Sequence, residues 1–168
     1  MAQRPEIVVR RARVGDVSRV VALVNHARQE QPEIDERAVI ARLGSAGFLL
    51  AEQDGNLIGI LGWQIENLIV RVSDFLIWPA RERIAVGRLL LSEMELSAAE
   101  LQCEVALLLL PSQSPPDLVE FCKVFGYAPK VVAGLPKAWR EASHEAGLGN
   151  DEAILIKQLR FDRVLRPL

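Results

Sequence analysis

The sequence predicts one α/β domain, in which short β-rich runs alternate with helical stripes of apolar residues from residue 7 to residue 159. The chain has 168 residues, enough for one substantial core and too few for two comfortable ones. Asp54-Gly55 lies between two apolar runs and favours the tight turn of a β-hairpin. We therefore expect the span 1–168 to form a single domain.

The first half of the chain predicts a strand, two helices and a three-stranded meander. Residues 7–11 are a β-rich run, Asp16 is a candidate N-cap, and Asp35 caps a second helix that ends at Gly44. Residues 48–52 and 57–65 form the predicted hairpin, and Asn67 turns the chain into a strand over 68–78. The apolar stripe of the first helix comprises Val17, Val20, Val21, Val24 and Ala27.

The second half predicts helices and strands in alternation. A helix begins near Ile84, and the apolar run 103–110 suits a strand buried on both faces. Residues 114–117 resemble a capping box before a helix that Gly126 closes. A strand over 127–133, a helix over 135–146 and a strand over 153–159 complete the order. The apolar stripe of the helix that begins near Ile84 comprises Val86, Leu90, Met94 and Leu101. The stripe of the helix that Gly126 closes comprises Leu118, Phe121, Cys122 and Phe125.

Composition argues against several classes of protein. The net charge is −2, which does not favour nucleic-acid binding, and the longest apolar run is far shorter than a membrane span. The first residues lack the features of a signal peptide, and two cysteines do not make a disulfide framework, so we expect a cytoplasmic protein. His26 and His144 have no metal-binding spacing, and no metal is expected. The cluster Arg10, Arg11 and Arg13 is interpreted as a solvated strand edge.

The order of elements and three short motifs resemble the GNAT superfamily of acyl-CoA N-acetyltransferases. The motifs are residues 51–59 in the hairpin, 77–79 at the end of the fourth strand, and 121–127, which resembles the family's Phe-Tyr-x-x-x-Gly-Phe. The resemblance implies an α/β (α+β) fold with a mixed, mostly antiparallel sheet of about six to seven strands flanked by helices. It also implies acetyl-CoA as co-substrate, a small-molecule or peptide amine as acceptor, no nucleic-acid or membrane partner, and a homodimer as an open alternative.

The loop that binds the coenzyme A pyrophosphate in the family is degenerate here. The family pattern Arg/Gln-x-x-Gly-x-Gly/Ala falls on residues 82–87, where Glu82 and Ala85 depart from it and Gly87 keeps it. A carboxylate beside a pyrophosphate is repulsive, although neighbouring arginines offset its charge. A solvated helix start is the alternative interpretation. The cofactor-binding residues that the resemblance implies are Phe75, Ile77, Arg83, Ile84, Ala85, Val86, Gly87 and Arg88.

The proton-transfer groups of the family are also altered. The resemblance places Cys122 where the family often has a tyrosine that protonates the departing thiolate, so Cys122 is the candidate catalytic residue. Its place on an apolar helical stripe favours core packing instead. The family often uses a carboxylate of the fourth strand as base, but alternation puts Asp74 on the face opposite Phe75 and Ile77. Glu66, further back, remains an open alternative.

The sequence therefore predicts direct attack of an amine on acetyl-CoA in a ternary complex, with catalysis resting mainly on positioning. Two alternatives remain: an inactive interaction or regulatory module with the same fold, and an acyl-CoA sensor. The segment 131–149 either shapes acceptor specificity or mediates dimerisation. Trp63, Trp78 and Trp139 are interpreted as core residues rather than as the lining of a cleft.

Overall fold

A computed structural model describes residues 4–28, 32–45, 47–110 and 115–160. Within these residues the chain forms seven strands and five α-helices. In chain order they are β1 (Ile7–Arg11), α1 (Val17–Ala27), α2 (Glu36–Ser45), β2 (Gly47–Gln53), β3 (Asn56–Glu66), β4 (Ile69–Ile77), α3 (Arg83–Glu100), β5 (Val105–Leu108), α4 (Pro116–Val124), β6 (Ala128–Val131), α5 (Lys137–Glu145) and β7 (Ala153–Gln158).

The strands follow the order β1-β2-β3-β4-β5-β7-β6 in one mixed sheet. β4 and β5 are parallel, whereas β1/β2, β2/β3, β5/β7 and β6/β7 are antiparallel. The predicted fold class, a mostly antiparallel sheet of six to seven strands flanked by helices, is confirmed. None of the helices in the described ranges is both long and apolar enough to span a bilayer.

The fold divides into two compact units, the first comprising the described residues of Met1–Gln64 and Ser73–Met94. Its hairpin turn has positive φ at Asp54 (51°) and Gly55 (77°), the backbone that the Asp-Gly pair predicts. Asp35 caps α2 by accepting a hydrogen bond from the Ala38 N–H at 3.0 Å, as predicted. α2 ends at Ser45, one residue beyond the predicted end.

The first unit packs helices on both sides of the β2–β3 hairpin. α1 and α2 bury their apolar stripes against one side, and the first half of α3 covers the other at Gly59. A Cβ atom on Gly59 would lie 2.7 Å from Val86 Cγ1, so the absence of a side chain lets α3 approach the sheet closely. The core beneath α1 and α2 comprises Val17, Val20, Leu23, Val24, Val39, Phe48, Leu50 and Ile60.

An ion-pair network connects β1, α1 and β2, and it includes Arg10, which was expected at a solvated strand edge. Arg10 donates to both carboxylate oxygens of Asp16 (2.8 and 2.7 Å) and also pairs with Glu52. Arg19 pairs with the same Asp16 (3.4 Å) and with Glu52 (3.0 Å). The hydrogen bonds to Asp16, of which those from Arg10 have the largest effect, hold the pKa of Asp16 well below its usual range despite its burial. Arg10 is therefore wrongly interpreted as part of a solvated edge, and Asp16 makes no side-chain cap bond to α1.

The second unit comprises the described residues of Ile65–Val72 and Glu95–Leu168. β5 is buried along its whole length, as its apolar run predicts. α5 packs against the sheet through Trp139 and Ala142, and the buried residues of this core are Ile69, Val105, Leu107, Val132, Leu135, Ile154 and Ile156. The predicted apolar stripe of α3 is wrong at Leu101, which follows the end of the helix and is 59% exposed. Ser114 of the predicted capping box lies outside the described residues.

Candidate functional site

The junction between β4 and α3 has the architecture that the sequence predicts. β4 ends at Ile77, a cis peptide bond joins Trp78 to Pro79, and a 3₁₀ turn over Ala80–Glu82 leads directly into α3 at Arg83. The Trp78 N–H donates to the Ile58 carbonyl at 2.9 Å, which fixes the end of β4 against β3. α3 has 18 residues, so its N-terminus presents the partial positive charge of a long helix.

The predicted cofactor-binding residues differ in their accessibility. Phe75 and Ile77 are buried at the end of β4. Val86 and Gly87 are also buried, on the sheet side of α3. Of the other predicted cofactor-binding residues, Arg83 is half-buried, and Ile84, Ala85 and Arg88 are exposed.

The charge at this junction is predominantly positive. Arg81, Arg83 and Arg88 lie within the turn and the first two turns of α3, and Glu82 is the single acidic residue among residues 79–88. The Arg81 Nε atom lies 3.8 Å from the Glu82 carboxylate, whose side chain is only 22% exposed. The carboxylate is therefore partly neutralised within the turn, and the exposed Arg88 adds a positive charge that favours an anionic ligand.

β4 extends beyond its pairing with β5. The parallel register ends at Val72 opposite Leu108, followed by a hydrogen bond from the Leu109 N–H to the Val72 carbonyl at 2.9 Å. β4 continues to Ile77. Its last residues therefore carry backbone groups that the described β4–β5 register does not use, next to the start of α3 in the chain.

Comparisons with known proteins agree on the fold. No protein-family model matches the sequence, and no curated protein sequence is significantly similar to it. Solved structures match over most of the chain. A GNAT-family acetyltransferase from Staphylococcus aureus Mu50 superposes with a TM-score of 0.73 at 14% identity, covering 92% of this chain and 100% of that one. The chain has the GNAT fold.

Two further structures of the GNAT fold contain coenzyme A. The PaiA N-acetyltransferase from Thermoplasma acidophilum, in complex with coenzyme A, has a TM-score of 0.66 at 13% identity over 91% of this chain and 99% of that one. N-acetylglutamate synthase from Neisseria gonorrhoeae, complexed with coenzyme A and N-acetyl-glutamate, has a TM-score of 0.70 at 18% identity over 95% of this chain. This chain spans only 36% of that enzyme.

Cys122, which occupies the tyrosine position of the GNAT resemblance, is fully buried in the second unit. Burial raises the pKa of the Cys122 thiol to about 12. A thiol with so high a pKa is a poor proton donor to a thiolate of pKa about 8.5. The geometry favours core packing for Cys122, and its catalytic role stays a prediction.

The neighbouring Tyr127 is also withdrawn from solvent. Its hydroxyl donates to Glu95 Oε1 at 3.0 Å, and Lys157 Nζ lies 2.8 Å from the same oxygen. Burial, followed by the nearby charge of Glu95, raises the pKa of Tyr127 above its usual range. The hydroxyl therefore keeps its proton and serves a buried polar contact between α3 and the start of β6.

The two candidate bases, Asp74 and Glu66, have different surroundings. Asp74 points to the side of β4 opposite Phe75 and Ile77, as alternation predicts, and pairs with Arg42 of α2. Glu66 is exposed at the end of β3, beside a shallow pocket that Arg71 and Glu141 also line.

Sequence reasoning missed two features on the side of β4 that faces α1 and α2. The sequence carries no local signal for Arg42, because its partner Asp74 is distant in the chain. Trp78 is 40% exposed and meets His26 of α1 edge to face, with ring centroids 5.3 Å apart, so its interpretation as a core residue is wrong. Trp63 is buried and Trp139 packs against the core of the second unit, as predicted.

Proposed function

We propose that this protein is an acetyl-CoA-dependent N-acetyltransferase that transfers an acetyl group to an amine. The observation that carries the proposal is the β4–α3 junction, with its arginines at the start of a long helix, in a fold of which two of the matching solved structures contain coenzyme A. Fold alone does not fix function, so the argument depends on the chemistry that this junction offers.

The junction fits an anionic coenzyme. The guanidinium groups of Arg83 and Arg88 would hold the pyrophosphate, assisted by backbone N–H groups in the first turn of α3. The backbone of Phe75 and Ile77 would hold the pantetheine and acyl portions at the end of β4. Glu82 opposes this binding, and its contact with Arg81 reduces the opposition.

Acetyl-CoA would supply an activated acetyl thioester. The nitrogen lone pair of the acceptor forms the new C–N bond as the C–S bond breaks and the electron pair leaves with sulfur. Of the three protons on an ammonium group, one stays on the amide, one ends on the coenzyme A thiol and one passes to solvent. Because a thiolate of pKa about 8.5 is a tolerable leaving group near neutral pH, we propose that positioning rather than a dedicated acid supplies most of the rate.

Titration calorimetry with acetyl-CoA tests the proposal. We expect binding that Arg83→Gln and Arg88→Gln each weaken about 3- to 30-fold and that Glu82→Gln strengthens. Arg37→Gln, an exposed change of the same charge on α2, is the matched control and should leave affinity unchanged. Release of coenzyme A thiol with an amine panel then tests turnover. Failure to bind at millimolar acetyl-CoA would refute the proposal.

The departures at Glu82, Ala85 and Cys122 support one alternative, an interaction or regulatory module with the same fold. That alternative predicts that Glu82→Arg with Ala85→Gly creates an acetyl-CoA affinity that the parent lacks. Binding without turnover of any amine would instead favour a sensor. The cytoplasmic location, the homodimer and the single-domain organisation stay predictions.

A further inference from the structure

The side of β4 that faces α1 and α2 carries an ion pair and an aromatic pair, both within the first compact unit. Asp74 and Leu76 alternate along β4 and therefore lie on one side, and Trp78, which follows the end of the strand, contacts α1. Asp74 pairs with Arg42, and Trp78 meets the His26 ring at an interplanar angle of 81°. Leu76, partly buried, lies between the two pairs and packs against the core beneath α1 and α2.

The carboxylate of Asp74 lies next to Gly62 of β3, a residue without a side chain. A Cβ atom on Gly62 would lie 3.0 Å from Asp74 Oδ2 and 3.1 Å from Phe48 Cδ2, so a side chain there would require the carboxylate or the Phe48 ring to shift by a few tenths of an ångström. Asp74 is only 9% exposed and, besides Arg42, accepts a long hydrogen bond from the Ser73 hydroxyl at 3.4 Å. The buried carboxylate needs the charge of Arg42, because a buried charge without a partner is strongly destabilising.

The pair differs from the other buried aspartate of the first unit. Asp16 accepts from Arg10 twice, from the Arg13 N–H and from Arg19, which leaves its carboxylate enclosed by donors. The Arg42 side chain is 49% exposed, and its Nη1 atom donates to Asp74 Oδ1. A guanidinium has five N–H donors. Arg42 thus presents a charged, solvent-accessible edge directly beside a buried carboxylate.

We propose that this surface binds a zwitterionic acceptor, an amine that carries a carboxylate next to it and an apolar side chain. The acceptor carboxylate binds the exposed edge of Arg42, and its ammonium group binds Asp74. The apolar side chain lies along Leu76 and the pair formed by His26 and Trp78. The inference rests on the proposed function, because it assigns the acceptor class to the same enzyme.

Charge complementarity separates this ligand from its simpler analogues. An amine without a carboxylate meets an Asp74 already neutralised by Arg42, and a carboxylate without an amine approaches Arg42 against the repulsion of Asp74. A zwitterion satisfies both charges at once. Specificity of this kind is a difference between affinities, and it is measured directly with matched ligands.

The experiment is calorimetry at pH 7 with L-phenylalanine, phenethylamine and 3-phenylpropionate, each with and without coenzyme A. We expect L-phenylalanine to bind at least about ten-fold more tightly than either analogue. Arg42→Gln should abolish that preference, and Arg42→Lys should retain part of it, because lysine keeps the charge without the planar fork. Arg37→Gln on the same helix should leave all three affinities unchanged, and circular dichroism confirms that each variant is folded.

The outcomes distinguish this inference from the proposed function. Equal affinities for the three ligands, no binding of L-phenylalanine in either state, or a preference that survives Arg42→Gln would overturn the zwitterion site. If acetyl-CoA binds and phenethylamine is acetylated as efficiently as L-phenylalanine, only the inference fails. If L-phenylalanine binds selectively while acetyl-CoA does not bind, only the proposed function fails.

Discussion

Replacing Gly59 by alanine should loosen the contact between α3 and the sheet. The new Cβ atom would lie 2.7 Å from Val86 Cγ1 and 3.2 Å from Leu90 Cδ1, compared with about 3.5–4.0 Å for an optimal carbon contact. Val86 and Leu90 are both fully buried, so neither side chain has solvent to move into. The first turns of α3 must therefore move outward by several tenths of an ångström, and the proposed coenzyme-binding residues move with them.

The magnitude follows from two opposing effects. Overpacking of a well-packed core costs about 1–3 kcal/mol. Alanine also reduces the conformational entropy of the unfolded chain relative to glycine, which stabilises the folded protein by about 0.4–1 kcal/mol. We expect the free energy of unfolding to fall by about 1–2 kcal/mol, which corresponds to a loss of roughly 2–8 °C in Tm for a chain of this length. Acetyl-CoA affinity should fall as well, because Ile84 and Arg88 are on the displaced segment.

Urea unfolding of a double-mutant cycle measures the effect. Val86→Ala removes the Cγ1 atom that the new Cβ atom at position 59 would strike, so Gly59→Ala should cost at least about 1 kcal/mol less in that background. Gly134→Ala is the matched control, because a Cβ atom there would have no neighbour within 4 Å. Equal costs of Gly59→Ala with valine or alanine at position 86 would refute the packing argument.

Three further outcomes are expected. Asp16→Asn should lower the free energy of unfolding by about 1–3 kcal/mol at pH 7; because Arg10 depresses the pKa of folded Asp16, the difference from wild type should shrink as pH falls below about 4, measured by urea unfolding across pH. Cys122→Ala should change the rate of coenzyme A release less than about three-fold, whereas a loss of a hundred-fold or more would restore the acid role. Tyr127→Phe should cost about 1–2 kcal/mol in thermal unfolding, because Glu95 loses a donor, and leave acetyl-CoA affinity unchanged.

The sequence predicted the elements of the fold because their signals are local. The positive φ angles of the hairpin come from Asp54-Gly55, and the Asp35 cap reaches only three residues along the chain. Where a local signal was absent, the prediction failed: nothing adjacent to Leu101 reveals that α3 has already ended before it. Periodicity extends a helical stripe until a breaker appears, and no glycine or proline follows α3 closely.

The charged side chains could not be assigned from the sequence, because their partners are remote. Arg10 finds Glu52 across the β1–β2 pairing, and Arg42 finds Asp74 across 32 positions. Composition shows only that basic side chains (20 Lys and Arg) and acidic side chains (22 Asp and Glu) are nearly balanced, which is compatible with many pairings. The exposed His26–Trp78 pair was missed for the same reason, since an aromatic residue at the end of an apolar strand is more often part of the core.

The glycines of β2 and β3 connect the divergent loop to the rest of the site. The family resemblance leads one to look for glycine where a phosphate approaches the backbone, and the 82–87 loop retains only Gly87. In the sheet, by contrast, three glycines let neighbouring side chains lie close to the backbone. A Cβ atom on Gly47 would overlap the Trp63 ring, one on Gly59 would strike α3, and one on Gly62 would require the Asp74 carboxylate or the Phe48 ring to shift. Because Gly59 sets how closely α3 lies to the sheet and Gly62 sets where the Asp74 carboxylate lies, substitutions at these two glycines should affect coenzyme affinity and acceptor affinity separately.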